Sequence, residues 1–250
     1  MIAIVTGASS GIGAEFCRLL DARGLDEIWL VARRVERLDA LAEALETPCR
    51  TIPVDLSTRE GLDILHDTIV TNSPRIAYLV NCAGFGKFGL SWEIERSDTD
   101  SMIDLNARAL VDITSFCIPF MENGSRIIQV CSASAYLALP QLNVYAATKA
   151  FVKRYCDGLR AELHGTGISV LEVSPGWVDT DFIEIARAGG DVSPAVFKHT
   201  VTKEAVTEQA MRDSDRGKRR SVCGRYNRFQ VFVCTHASSL ASRVWERSLR

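Results

Sequence analysis

Near its start the chain runs Ile2, Ala3, Ile4, Val5 and then breaks into Thr6-Gly7-Ala8-Ser9-Ser10-Gly11-Ile12-Gly13. A short unbroken apolar run suits a strand buried on both faces of a sheet. Beyond the glycines, Phe16, Leu19 and Leu20 recur at helical spacing until Gly24. Strand, glycine-rich turn and helix in immediate succession leave few folds open. Glycine permits φ > 0 and lets backbone come close to a ligand. The helix that opens there aims free N–H groups and the positive end of its dipole at an anion. This is the setting in which a dinucleotide pyrophosphate is held. Gly7, Ser9, Ser10, Gly11, Ile12 and Gly13 are thus cofactor-binding candidates; the plain alternative is an ordinary glycine-rich turn.

The alternation continues down the chain. Residues 28–31 read as a second strand, and after it come Ala32, Arg33 and Arg34. Sites that select NAD place an acid here to grip the ribose 2′-hydroxyl. A guanidinium instead clamps a 2′-phosphate with charge-assisted hydrogen bonds, so NADP(H) is expected ahead of NAD. The competing reading is that both arginines merely begin the amphipathic helix of Leu38, Leu41 and Leu45. A third strand at 51–54 ends in Asp55, Leu56 and Ser57, and Ser57 or Thr58 is placed to cap the helix of Leu62, Leu65 and Ile69. A fourth at 77–80 ends in Asn81-Cys82-Ala83-Gly84. A helix through Met102, Leu105, Leu110 and Ile113 carries Asn106. A fifth strand at 127–131 runs into Ser132, and a sixth at 168–173 ends at Pro175-Gly176. Strands and helices in strict turn imply a parallel sheet covered on both sides. Ligands of such sheets sit at the carboxyl ends of the strands, which gathers all these segments along one edge.

Between the last two strands a helix reaching about His164, ended by Gly165 and Gly167, carries Tyr145 and Lys149. The helical period puts them on one face, one turn apart. An ammonium beside a phenol lowers a pKa that otherwise lies near 10. A tyrosine tuned in that way exchanges a proton with an alcohol or carbonyl oxygen. Alone, the pair is as easily a chance arrangement on a surface helix.

Together the TGxxxGxG loop, Asn81-Cys82-Ala83-Gly84, Asn106, Ser132, the YxxxK pair and the Pro175-Gly176 turn with Thr180 resemble the short-chain dehydrogenase/reductase family over residues 1–180. The resemblance implies one doubly wound Rossmann-like α/β domain over 1–250. Its parallel sheet would have about seven strands, ordered 3-2-1-4-5-6-7, with helices on both faces. It implies Tyr145 as general acid/base, Ser132 as a hydrogen-bond donor to the reacting oxygen, and Lys149 on the nicotinamide ribose and depressing the Tyr145 pKa. Asn106 would hold a water that relays protons from Lys149, the alternative being a buried amide that braces its helix. Asp55 would meet the adenine, Asn81, Ala83 and Gly84 would line the cofactor, and Val178 or Thr180 would touch its carboxamide, beside Pro175 and Gly176. Arg33, Arg34, Arg37 and Leu38 resemble NADPH-preferring members.

The ending departs from tetrameric members and is similar to the branch described as DltE-like. A short seventh strand is expected at 221–223, followed by a tail at 229–250 that docks or dimerises, so a homodimer is expected ahead of a tetramer. Residues 181–200 are expected to form a substrate lid. Its Phe182, Ile183, Ile185, Val192, Val196 and Phe197 point to a hydrophobic carbonyl or alcohol as the small-molecule substrate, the alternative being that they serve core packing. A regulator that binds NADP(H) on the same fold is the alternative function.

The net charge of −2 argues against nucleic acid as partner, with the basic run 216–220 read as solvated surface. Eight scattered cysteines without a CxxC or Cys/His cluster suggest reduced, buried thiols and no metal. No apolar run approaches the ~20 residues of a membrane span. With a strand rather than a signal peptide at its start, the chain is expected in the cytoplasm.

Overall fold

β1 (Ile2–Thr6) is buried along its whole length, and its side chains divide by parity. Ile2 and Ile4 belong to one core layer, Ala3 and Val5 to the other. A strand whose two faces both meet apolar layers has no solvent side to mark with polar residues, which is why it reads as a continuous apolar run. The computed structural model describes residues 1–188 and 199–236. Along the chain come α1 (Gly11–Asp21), β2 (Glu27–Ala32), α2 (Val35–Glu43), β3 (Cys49–Pro53), α3 (Arg59–Asn72) and β4 (Ile76–Asn81). There follow α4 (Arg96–Ile103), α5 (Ala109–Cys117), β5 (Met121–Val130), α6 (Asn143–Glu162), β6 (Ser169–Val173), α7 (Asp181–Arg187), α8 (Lys203–Asp215), β7 (Arg220–Ser221) and α9 (Arg225–His236).

The seven strands form one sheet in the order β3-β2-β1-β4-β5-β6-β7, and every paired neighbour is parallel. Phe16 and Leu20 of α1, Leu38 and Leu41 of α2 and Val206 and Met211 of α8 cover one face. Leu62 and Leu65 of α3, Leu110 and Ile113 of α5 and Val152 and Cys156 of α6 cover the other. Thr58 caps α3, its hydroxyl accepting from Gly61 N at 3.0 Å. The sheet therefore has helices on both sides and presents one open rim of strand ends.

Three details differ from the sequence reading. The helix expected across Asn106 is continuous but widens there: a π turn at Asp104–Arg108, which contains Asn106, lies between α4 and α5. A seventh strand exists, but over Arg220–Ser221 rather than 221–223, paired with Glu172 and Val173. The tail, expected to dock or dimerise as a whole, begins within α9, which docks through Val231 and Cys234 against Tyr136 while Phe229 and Phe232 face outward. The rest of the tail, with Leu240, Val244, Trp245 and Leu249, lies outside the described residues, as do Val192, Val196 and Phe197 of the lid. Among the described residues no helix is long and apolar enough to cross a membrane. All eight cysteines are free.

Candidate active site

The rim opens into a cleft of about 320 Å³ that begins over the β1–α1 turn and ends under α7 and α9. At its first end the turn is tightly built. Gly7 has φ 69°, and a Cβ there would lie 2.9 Å from Ala83 N. A Cβ on Gly13 would lie 2.3 Å from the Gly7 carbonyl, so α1 is able to start directly against the turn only because Gly13 has none. Ser10 at the N-cap offers α1 no side-chain hydrogen bond. The first-turn N–H groups are among those a helix cannot satisfy internally. A glycine cradle and an N-terminus uncapped by its own side chain suit a pyrophosphate.

The two arginines after β2 have different surroundings. Arg34 lies over the turn: its Nη2 donates to Ser9 Oγ at 3.0 Å and Ser10 Oγ at 2.6 Å. Arg33 reaches the other way, with Nη1 at 3.5 Å from Asp55 Oδ2. Asp55 Oδ1 accepts from both Ser57 N at 2.9 Å and Ser57 Oγ at 2.7 Å. Burial alone would raise the Asp55 carboxyl, but the Ser57 bonds and Arg33 outweigh it and hold it below its ordinary value. Of the two capping candidates, Ser57 and Thr58, it is Thr58 that caps α3. Leu56, Cys82, Ala83, Gly84, Pro175, Gly176, Val178 and Thr180 line the cleft beside them. Asn81 departs from expectation: its side chain turns toward α5, where Nδ2 donates to Thr114 Oγ1 at 3.0 Å. Thr114 Oγ1 also accepts from Gln129 Nε2 at 3.0 Å, and the strand's alternation sends Asn81 to that side.

At the deep end, Ser132, Tyr145 and Lys149 share the cleft floor. Ser132 starts a short 3₁₀ turn (Ala133–Tyr136), its Oγ accepting from Ser134 N at 3.1 Å. Lys149 Nζ donates to Val130 O at 2.9 Å and lies 5.8 Å from the centre of the Tyr145 ring. Both side chains are nearly dry, 7% and 4% exposed. Burial therefore dominates: it pushes the Tyr145 phenol up, with the Ser132 hydroxyl working the other way, and pushes the Lys149 ammonium down. The depression of Tyr145 by Lys149 expected from spacing is not what this geometry produces, because the amine is turned onto a carbonyl and desolvation is the larger influence. Asn106 is fully buried with its amide engaged throughout. Oδ1 accepts from Phe85 N at 3.0 Å, and Nδ2 donates to Phe85 O at 2.8 Å and Thr148 Oγ1 at 3.1 Å. The bracing alternative describes that side chain better than the water-holding one.

Three contributors escaped the sequence reading. Behind the Ser132 turn, the buried Glu172 of β6 accepts from Tyr136 and from Ser174 Oγ at 2.7 Å, with Arg220 Nε at 3.4 Å. Asp181 Oδ2 accepts from Arg37 Nη1 at 2.7 Å and Arg34 Nη1 at 3.5 Å. Gln230 and Cys234 bring α9 to the cleft wall. A glutamate inside the apolar run of Val170, Leu171 and Val173 was the one visible signal among these.

The comparisons with known proteins agree with this architecture. A family model described as short chain dehydrogenase matches residues 1–189. Sulfoacetaldehyde reductase of Chromohalobacter salexigens is 34% identical over 215 residues, 82% of this chain and 84% of that one. The NADP-dependent 3-hydroxy acid dehydrogenase YdfG of Salmonella typhimurium is 33% identical over 216 residues, 83% of this chain and 86% of that one. The closed form of serine dehydrogenase complexed with NADP+ superposes with a TM-score of 0.76 at 31% identity, covering 86% of this chain and 89% of that structure. With a glycine-cradled strand–helix turn, a seven-stranded parallel sheet and relatives of this kind over most of its length, the chain belongs to the short-chain dehydrogenase family and is an NAD(P)-dependent oxidoreductase.

Proposed function

We propose that the chain moves a hydride between NADP(H) and a hydrophobic ketone, aldehyde or corresponding alcohol, with Tyr145 carrying the proton. The observation behind this is the meeting of Ser132, Tyr145 and Lys149 on the floor of a largely apolar cleft whose other end holds Arg34. The nicotinamide, when bound, supplies or accepts the hydride. Tyr145, kept neutral by burial, is suited to give its proton to an oxygen that gains negative charge. The Ser132 hydroxyl, which already favours negative charge on the Tyr145 oxygen, would place a second donor on the substrate oxygen. Lys149, anchored on Val130 O, keeps two further N–H donors for ribose hydroxyls. Asn106 would hold Phe85 and Thr148, and with them the helical turn of Lys149, in place.

The preference for NADP(H) is supported by Arg33 and Arg34 where an acid would select NAD. The relatives' names point the same way, one being NADP-dependent and another bound to NADP+. For the substrate, Leu139, Leu142, Trp177, Phe182 and Ile185 line the inner end. Among the described residues, the cations lining the cleft are Arg33, Arg34 and Lys149, all assigned to the cofactor. The relatives named for sulfoacetaldehyde, 3-hydroxy acids and serine handle charged molecules, so the substrate class is where this chain is proposed to differ. The test is NADPH oxidation followed by absorbance over hydrophobic ketones and aldehydes, with sulfoacetaldehyde and 3-oxo acids alongside. Turnover confined to the acids would overturn the substrate class.

A further inference from the structure

The geometry points to Asp181 as a residue that sets how strongly the cleft prefers NADP(H) over NAD(H), because its carboxylate holds the arginines a 2′-phosphate would take. This rests on the NADP(H) reading above. Asp181 is the first residue of α7, directly after the N-cap Thr180. The Thr180 methyl lies over the glycine turn: a Cβ on Gly11 would be 3.2 Å from it. That seating brings the Asp181 carboxylate within reach of Arg37 Nη1 at 2.7 Å and Arg34 Nη1 at 3.5 Å. The Arg37 bond first, then Arg34, keep the carboxyl below its ordinary value, so it is charged at neutral pH. Arg34 is thus shared between Ser9, Ser10 and Asp181.

A 2′-phosphate carries about −1.5 to −2 charges and three strong acceptor oxygens, against a single charge on Asp181. The Asp181 side chain is 47% exposed and those of Arg34 and Arg37 are 41% and 52% exposed, so these pairs are weakly held and exchangeable. A phosphate can therefore take the guanidinium groups, but only by displacing the carboxylate and then tolerating it nearby. A 2′-hydroxyl displaces nothing. The cost falls on NADP(H) alone, and Asp181 narrows a preference that Arg34 creates. The next residue, Phe182, packs on the Tyr145 ring with centroids 5.3 Å apart. Displacement of Asp181 would thus be felt one residue away from the proposed proton carrier.

The test is calorimetric titration of the full chain with 2′,5′-ADP and with 5′-AMP, which differ by the phosphate in question. Asp181→Asn should bind 2′,5′-ADP about fivefold tighter and 5′-AMP as the wild type does. Asp181→Glu, which keeps the charge, should remain near the wild type for both. Unchanged 2′,5′-ADP affinity in Asp181→Asn, an equal gain for 5′-AMP, or a gain in Asp181→Glu matching that of Asn would each overturn the role of Asp181. A wild type that binds both nucleotides equally would defeat the NADP(H) reading itself, and this inference with it. A wild-type preference that Asp181→Asn leaves unaltered would defeat the inference alone.

Discussion

The inner end of the cleft and its outer end use similar groups in opposite surroundings. Lys149 on the inner floor and Glu172 behind it are 4% and 0% exposed, one on a backbone carbonyl and the other among Tyr136, Ser174 and Arg220. Outside, the side chains of Arg33 and Asp55 are 70% and 37% exposed, and those of Arg34 and Asp181 41% and 47%. Coulomb attraction and desolvation both grow as water is removed, so dry groups are costly to strand and strongly shifted in pKa. Wet groups hold each other loosely and change partners at little cost. On the proposed reading this is a division of labour: the dry end would keep fixed geometry and a tuned proton, and the wet end would exchange one anion for another.

The comparison breaks most easily at Tyr145. Tyr145→Phe should lower kcat by about 10²–10⁴-fold while leaving NADPH affinity in place, read by steady-state rates and a binding titration. Normal turnover there would remove the dry end's function. The sign of its pKa shift gives a second handle. Because burial raises the phenol, the neutral form persists above the ordinary value, so reduction should hold its rate from neutral into mildly alkaline pH. Alcohol oxidation, which needs the phenolate, should climb about tenfold per pH unit over the same range. An oxidation rate already level at neutral pH would mean that burial does not rule this group.

Next in size is Glu172→Ala, which takes the acceptor from the buried Tyr136 and Ser174 hydroxyls behind the Ser132 turn. It should cost about 1–3 kcal/mol in urea unfolding; a loss no greater than that of an exposed ion pair would erase the contrast between the two ends. At the wet end, Arg34→Ala should weaken NADP(H) binding by about tenfold or more and leave NAD(H) alone, as expected for hydrogen bonds to a charged group. Arg33→Ala should change NADP(H) affinity by only about threefold, since its single contact with Asp55 is long and wet. Equal effects of the two arginines would contradict the geometry that separates them.

Much was legible because it is local. A continuous apolar run identifies β1 and period-3.6 patterns the helices that follow, a turn rich in glycine after a strand marks a candidate phosphate cradle, and YxxxK places two side chains on one helical face. The gathering of Gly7, Arg34 and Ser132 at one rim follows from those patterns and general rules of parallel sheets, whereas the order of the strands came with the family resemblance. Other features depend on where separate segments come to rest. Asp181 reaches Arg34 across 147 positions, a meeting no local spacing encodes. The Asn81 side chain bonds to Thr114, Asn106 is spent on Phe85 and Thr148, and Phe229 and Phe232 face outward while Val231 and Cys234 dock.

The amino-acid sequence by itself therefore determined the fold, the family and the residue types at the rim, since these rest on periodicity and short motifs. Tertiary structure alone decided the electrostatics. Whether Lys149 acidifies Tyr145, whether Arg34 is free or held by Asp181, and whether Glu172 is buried all turn on distance and on exclusion of water, and neither is a property of neighbours in the chain.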